Sequence, residues 1–151
     1  MTASVSLGRR TLSAGGLAAI ALAMAPRELR ASPEQARAWL LGKVKGAPVE
    51  GKLAIRAPEI AENGLAVPIT VSVDAPITAG SHVQAIYVAA DGNPDPGAAS
   101  WRLSPLAGRA EVQMRMRLAA TQKVWAVAET SDGQVFIASR EVKVTIGGCG
   151  G

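Results

Sequence analysis

The chain has 151 residues, enough for one domain of ordinary size. Aromatic residues make up 3%, so any core has to be assembled from Val, Ile, Leu, Ala and Met. The formal charge of +4 is no nucleic-acid footprint: Arg9, Arg10, Arg27, Arg30 and Glu28 lie in or beside an N-terminal leader, and the remainder holds twelve scattered basic residues against eleven acidic ones.

Residues 1–31 read as that leader. Gly8-Arg9-Arg10-Thr11-Leu12 places a twin-arginine pair before a weakly apolar run, Ala14 to Ala25. This run is too short to span a bilayer, which takes about 20 residues. A charged start, an apolar middle and a small-residue exit make a secretory signal, and Arg9 and Arg10 point to the twin-arginine route. The alternative is an ordinary secretory signal in which the two arginines merely form the charged region. Exits stand at Ala23-Met24-Ala25 and at Leu29-Arg30-Ala31. The expected product is a periplasmic chain starting between Pro26 and Ser32. No cysteine follows the apolar run, so no lipid anchor is expected.

Residues 32–146 read as the folded domain. Ser32 is a helix cap, Pro33 suits the first helical position, and Gln35 completes a capping box. Ala36, Trp39 and Leu40 then share a face, Gly42 ends the helix, and Trp39 is expected to pack it against a sheet edge. From there the pattern is β. Lys52 to Arg56 is a short strand, and Asn63-Gly64 is a turn signal. Leu65, Val67, Ile69, Val71 and Val73 alternate with smaller or polar residues, as in a half-buried strand. Pro68 cannot donate to a ladder, which places it at an edge or a bulge. His82 to Ala90 is apolar on both faces, as in a central strand. A turn-rich loop, Asp91 to Gly97, leads to a short strand at Trp101 to Leu103. Val112, Met114, Met116 and Leu118 alternate with charged and polar residues. Lys123–Glu129 and Gln134–Ile146 form a hairpin about Ser131-Asp132-Gly133, and a slip in phase near Ser139-Arg140 predicts a bulge. About seven short strands and one helix give an all-β sandwich. The doubly apolar stretch Ile86-Tyr87-Val88 points to a partner covering a strand face or edge.

Conventional catalytic apparatus is missing from the pattern. His82 is the one histidine and is expected at the surface. That leaves no triad and no set of ligands for a metal. No Gly-rich loop opens a helix, and nothing calls for a cofactor. Glu59 and Glu62 read as solvated turn charges. Met114 and Met116 read as core.

The reactive atom is at the other end. Residues 147–151 are Gly147-Gly148-Cys149-Gly150-Gly151, and Cys149 is the one cysteine in the chain. Glycine pairs on both sides give it no conformational preference, so the pentapeptide is expected to be a mobile arm spanning at most about 17 Å. A single thiol in an oxidising compartment either pairs between chains or stays reactive. No cationic or helix-end neighbour depresses its pKa, so activation has to come from other proteins. This is the design of a carrier, with Gly147, Gly148, Gly150 and Gly151 supplying thinness and reach to Cys149. The alternatives are a secreted module that dimerises through a Cys149–Cys149 disulfide, and a thiol oxidoreductase, which is disfavoured without Cys-x-x-Cys.

The terminal Gly-Gly-Cys-Gly-Gly after Val142-Lys143-Val144-Thr145-Ile146 resembles the SoxY family, the sulfur carriers of the bacterial thiosulfate-oxidising (Sox) system. So do Pro58-Glu59-Ile60-Ala61-Glu62-Asn63-Gly64, Val67-Pro68-Ile69-Thr70-Val71 and Leu103-Ser104-Pro105. The resemblance runs from about residue 33 to the end. It implies an immunoglobulin-like sandwich and no catalytic activity of its own. Cys149 would carry thiosulfate-derived sulfur, joined by the haem c enzyme SoxAX, relieved of sulfate by SoxB and oxidised by SoxCD. SoxZ, another small sandwich protein, would be the constant partner.

Overall fold

The structure, a computed structural model, describes residues 30–145. Helix α1, Pro33–Leu41, begins as expected: the Gln35 backbone N–H donates to the Ser32 hydroxyl at 3.2 Å, and the Ser32 N–H donates to the Gln35 side-chain oxygen at 2.9 Å. Gly42 caps the C-terminus in a right-handed conformation (φ −67°), its N–H donating to the Ala38 carbonyl at 2.9 Å. The helix therefore stops without a left-handed glycine.

Nine strands follow among the described residues: β1 Pro48–Val49, β2 Leu53–Arg56, β3 Ile60–Ala61, β4 Val67–Val73, β5 Val83–Ala90, β6 Gly97–Arg102, β7 Glu111–Met116, β8 Gln122–Thr130 and β9 Val135–Val144. They form two sheets. The larger runs β1-β9-β8-β5-β6, with β3 also on β9, and the smaller runs β2-β4-β7. The all-β sandwich is as expected, with two more strands than the pattern shows. The additions, β1 and β3, are two residues each and pair parallel to β9 near its two ends. Two residues carry no periodicity. β6 is also longer than its Trp101 signal, because Gly97-Ala98-Ala99-Ser100 contains no residue of strong β propensity.

The main core lies between the sheets and is built from branched aliphatics, among them Ile69 and Val71 of β4, Ile86 and Val88 of β5, Val124 of β8 and Val142 of β9. A second cluster lies on the outer face of the large sheet. There Ala36 and Leu40 of α1 cover Ala89, Val127, Val135 and Ile137. The Trp39 indole reaches past them to the beginning of β6, so close that a Cβ on Gly97 would stand 2.6 Å from its ring. The helix thus covers a sheet face, and Trp39 marks the sheet edge.

This second cluster corrects two expectations. Ile86 and Val88 are fully buried between the sheets, and Tyr87 packs beside the helix. The surplus apolar surface of β5 is thus covered by α1 and is not a free face for a partner. Nor is there a bulge at Ser139-Arg140, since β8 and β9 pair without a break from Gln122↔Val142 to Glu129↔Val135. Val135 and Ile137 lie under α1, whereas Phe136, Ala138, Val142 and Val144 face the sandwich. The alternation never slips; the helix cover ends, and Ser139 and Glu141 on that face are exposed. The register shifts fall in β5 instead, at Val83/Ala85 and Val88/Ala89.

Pro68 lies in β4, the central strand of the small sheet, yet at a local edge. β2 ends at Arg56 opposite Thr70, so Val67, Pro68 and Ile69 pair with β7 alone. The outer face of this sheet is polar, with an Arg56–Glu111 ion pair at 2.8 Å.

Candidate functional site at the end of strand β9

Strand β9 delivers the chain to Thr145, the last described residue, and the final backbone groups of the strand are held from both sides. On one side is a strap, residues 58–65, that contains β3. Lys143 donates its N–H to the Glu59 carbonyl at 2.9 Å, and Thr145 donates its N–H to the Ala61 carbonyl at 3.0 Å. On the other side the Val144 N–H donates to the Thr121 hydroxyl at 3.0 Å. Thr121 directly precedes β8, so its side chain extends the ladder where β8 has run out.

The strap is itself tied down. The Leu118 N–H donates to the Gly64 carbonyl at 2.7 Å, and the Asn63 side chain accepts the Leu65 N–H at 2.9 Å. Asn63-Gly64 does turn the chain, but not in a hairpin: it leads from β3, paired to β9, into β4 of the other sheet. Gly64 is not among the positive-φ glycines. Its lack of a Cβ serves close packing, since that atom would stand 2.4 Å from the Leu118 carbonyl oxygen and 2.9 Å from Val144 Cγ1.

A polar hub holds the segment that carries Leu118 and Thr121. The Asn93 side-chain oxygen accepts from the Ala119 N–H and the Gln122 amide, each at 3.1 Å. The Asn93 amide donates to the Arg117 carbonyl at 2.9 Å. The Gln122 side chain, 5% exposed, accepts the Gly92 N–H at 2.8 Å. The buried Gln122 amide, satisfied in this way, rigidifies its surroundings. The N-terminal side joins the same hub, with the Ala31 N–H donating to the Asn93 carbonyl at 2.8 Å. The end of β9 is therefore rigidly held.

Cys149 lies outside the described residues, as do Gly147, Gly148, Gly150, Gly151 and the leader arginines Arg9 and Arg10. Ile146, the expected end of the last strand, is also outside them. Glu59 and Glu62 are exposed on the strap, and Met116 is core with Met114 packed against it. His82 is half-buried, contrary to its expected surface position, and lines a small crevice with Ile77, Leu103 and Ala107; its Nδ1 is buried without a hydrogen-bond partner. Among the described residues no group of three or more His, Cys, Asp or Glu side chains is placed to hold a metal, and no helix is long and apolar enough to cross a membrane. Thr121 and the strap's contact with β9 had no signal in the pattern, apart from Asn63-Gly64 as a turn.

A family model described as sulfur oxidation protein SoxY matches residues 37–149. The chain belongs to the SoxY family. The match takes in α1 from Arg37, both sheets and the sequence as far as Cys149. The SoxY structure described as a sulfur carrier protein, from Chlorobium limicola f thiosulfatophilum, is 35% identical, with a TM-score of 0.62, and the alignment covers 76% of this chain and all of that one. Superoxide reductases have the same fold. The neelaredoxin of Ignicoccus hospitalis is 19% identical with a TM-score of 0.56, covering 80% of this chain and 99% of its own. The enzyme of Nanoarchaeum equitans is 14% identical with a TM-score of 0.53, covering 66% and 99%. At these identities only the architecture is shared. No curated protein sequence matches the chain.

Proposed function

We propose that this SoxY chain is a periplasmic sulfur carrier that holds thiosulfate-derived intermediates on Cys149 and presents them to the enzymes of the Sox system. The observation that carries the proposal is the family match extending to residue 149, together with 35% identity over the whole of a sulfur carrier. The anchored end of β9 supports it, because a short tether delivers its load reproducibly only if its base is fixed.

The chemistry requires one sulfur atom from this chain. At SoxAX the Cys149 sulfur and the sulfane sulfur of thiosulfate form a disulfide bond. The thiol proton is released, and the two electrons leave one at a time through that haem c enzyme. At SoxB water attacks the sulfonate sulfur, releasing sulfate and leaving a persulfide on Cys149. SoxCD then oxidises the remaining sulfane sulfur, and a second hydrolysis returns the thiol. Gly147, Gly148, Gly150 and Gly151 keep the arm thin enough to enter each site. SoxZ is the constant partner, and export follows the twin-arginine signal at Arg9 and Arg10.

Intact-mass spectrometry of the chain from thiosulfate-grown cells tests the reading. The expected result is a set of sulfur and thiosulfonate mass increments on the C-terminal peptide, removed by reductant. Complete conversion to a disulfide-linked dimer with no adduct would replace the carrier by a structural module.

A further inference from the structure

Cys149 stands close in sequence to the end of β9, and this constrains where an enzyme can touch the carrier. Cys149 is four residues past Thr145, a reach of at most about 14 Å. An enzyme that handles the Cys149 sulfur inside a closed site must therefore rest on the folded domain around the end of β9. The strap supplies that ground. Glu59, Ile60, Glu62, Asn63 and Leu65 are exposed there. Of four large apolar side chains exposed among the described residues, two lie on the strap, Ile60 at 55% and Leu65 at 65%. The strap's backbone bonds to β9 hold these side chains in fixed relation to the arm's base. Exposed Ile and Leu on a rigid segment, with carboxylates beside them, describe a small docking surface.

We propose that the strap is the surface on which the sulfur-handling enzymes dock when the arm enters them. Its occupant is the rim of an enzyme's active-site mouth, apolar where it meets Ile60 and Leu65 and basic where it meets Glu59 and Glu62. This rests on the carrier reading above. The same rim chemistry has to recur on each enzyme of the cycle, because each receives the same arm from the same base. Val49 is the natural control. It is exposed at 59% but pairs opposite Phe136, seven residues up β9 from the Ile60↔Lys143 pair, about 23 Å away.

The experiment uses the mature chain in complex with its partner subunit, offered as substrate to the purified thiosulfate-loading and sulfate-releasing enzymes. The double variant Ile60→Ser/Leu65→Ser is expected to raise KM for the carrier about tenfold with both enzymes while kcat at saturation holds, as for loss of an apolar contact at a docking rim. Reaction of Cys149 with a small disulfide reagent should be unchanged, which separates docking from damage to the arm. Leu65→Ser alone should show a smaller shift in the same direction and serves if the double variant is poorly folded. Val49→Ser should leave KM unchanged. Unaltered KM in the strap variants, an equal effect of Val49→Ser, or protection of the strap by the partner subunit in the resting complex would each overturn the proposal. Turnover by Cys149→Ser would instead overturn the carrier reading itself.

Discussion

The Thr121 hydroxyl accepts the backbone N–H of Val144 at 3.0 Å, so a side chain carries the ladder on just before the first residue of strand β8, where β9 continues. Thr121→Val keeps the shape of the side chain and removes the acceptor. The expected outcome is a loss of about 1 kcal/mol in stability and faster hydrogen exchange at Val144, with little change in the centre of β8. Thr121→Ser should restore protection. Unchanged exchange at Val144 in Thr121→Val would show that the bond does not hold the strand end.

Gly64 is packed where no side chain fits. A methyl group at 2.4 Å from the Leu118 carbonyl oxygen and 2.9 Å from Val144 Cγ1 has to displace the strap or the end of β9. Gly64→Ala should therefore lower stability by about 1–3 kcal/mol in chemical denaturation, with exchange rising first at Lys143 and Thr145. A change within about 0.5 kcal/mol would mean that the strap gives way freely.

Leu40 fixes α1 over Val127, Val135 and Ile137 and is fully buried. Leu40→Ala should lower stability by about 2–5 kcal/mol and expose the outer face of the large sheet, seen as added binding of an apolar dye. A loss below about 1 kcal/mol, without added dye binding, would show that the helix is dispensable to the sandwich.

Ala31 is 7% exposed and bonded to Asn93, so it packs as part of the domain. N-terminal sequencing of the exported chain should find a start at or before Ala31, consistent with the Ala23-Met24-Ala25 exit. Replacing Arg9 and Arg10 by Lys should leave precursor in the cytoplasm. Normal export of that variant would favour an ordinary secretory signal.

Much of this architecture is legible in the residues. The helix start is written in Ser32, Pro33 and Gln35, and the alternation of β4 and β7 is plain. Other features depend on which surfaces meet. β1 and β3 are invisible because two residues paired through backbone groups need no side-chain pattern. The supposed bulge in β9 is the limit of the helix cover, which depends on how far α1 extends over the sheet. Pro68 is tolerated in a central strand because β2 stops at Arg56. The site divides in the same way. Cys149 stands out as one thiol among glycines, whereas Thr121 is a surface threonine until the fold brings Val144 to it.

The central claim is that Cys149 carries the substrate and contributes almost nothing to folding. Cys149 stands between glycine pairs outside the packed domain's pattern, so Cys149→Ser should change stability by no more than about 0.5 kcal/mol. The decisive measurement is thiosulfate-dependent electron transfer in a reconstituted system containing this variant with SoxZ, SoxAX, SoxB and SoxCD. The account predicts its abolition in a normally folded protein, because no other thiol in the chain can take the sulfur. Sustained electron transfer by Cys149→Ser would contradict it.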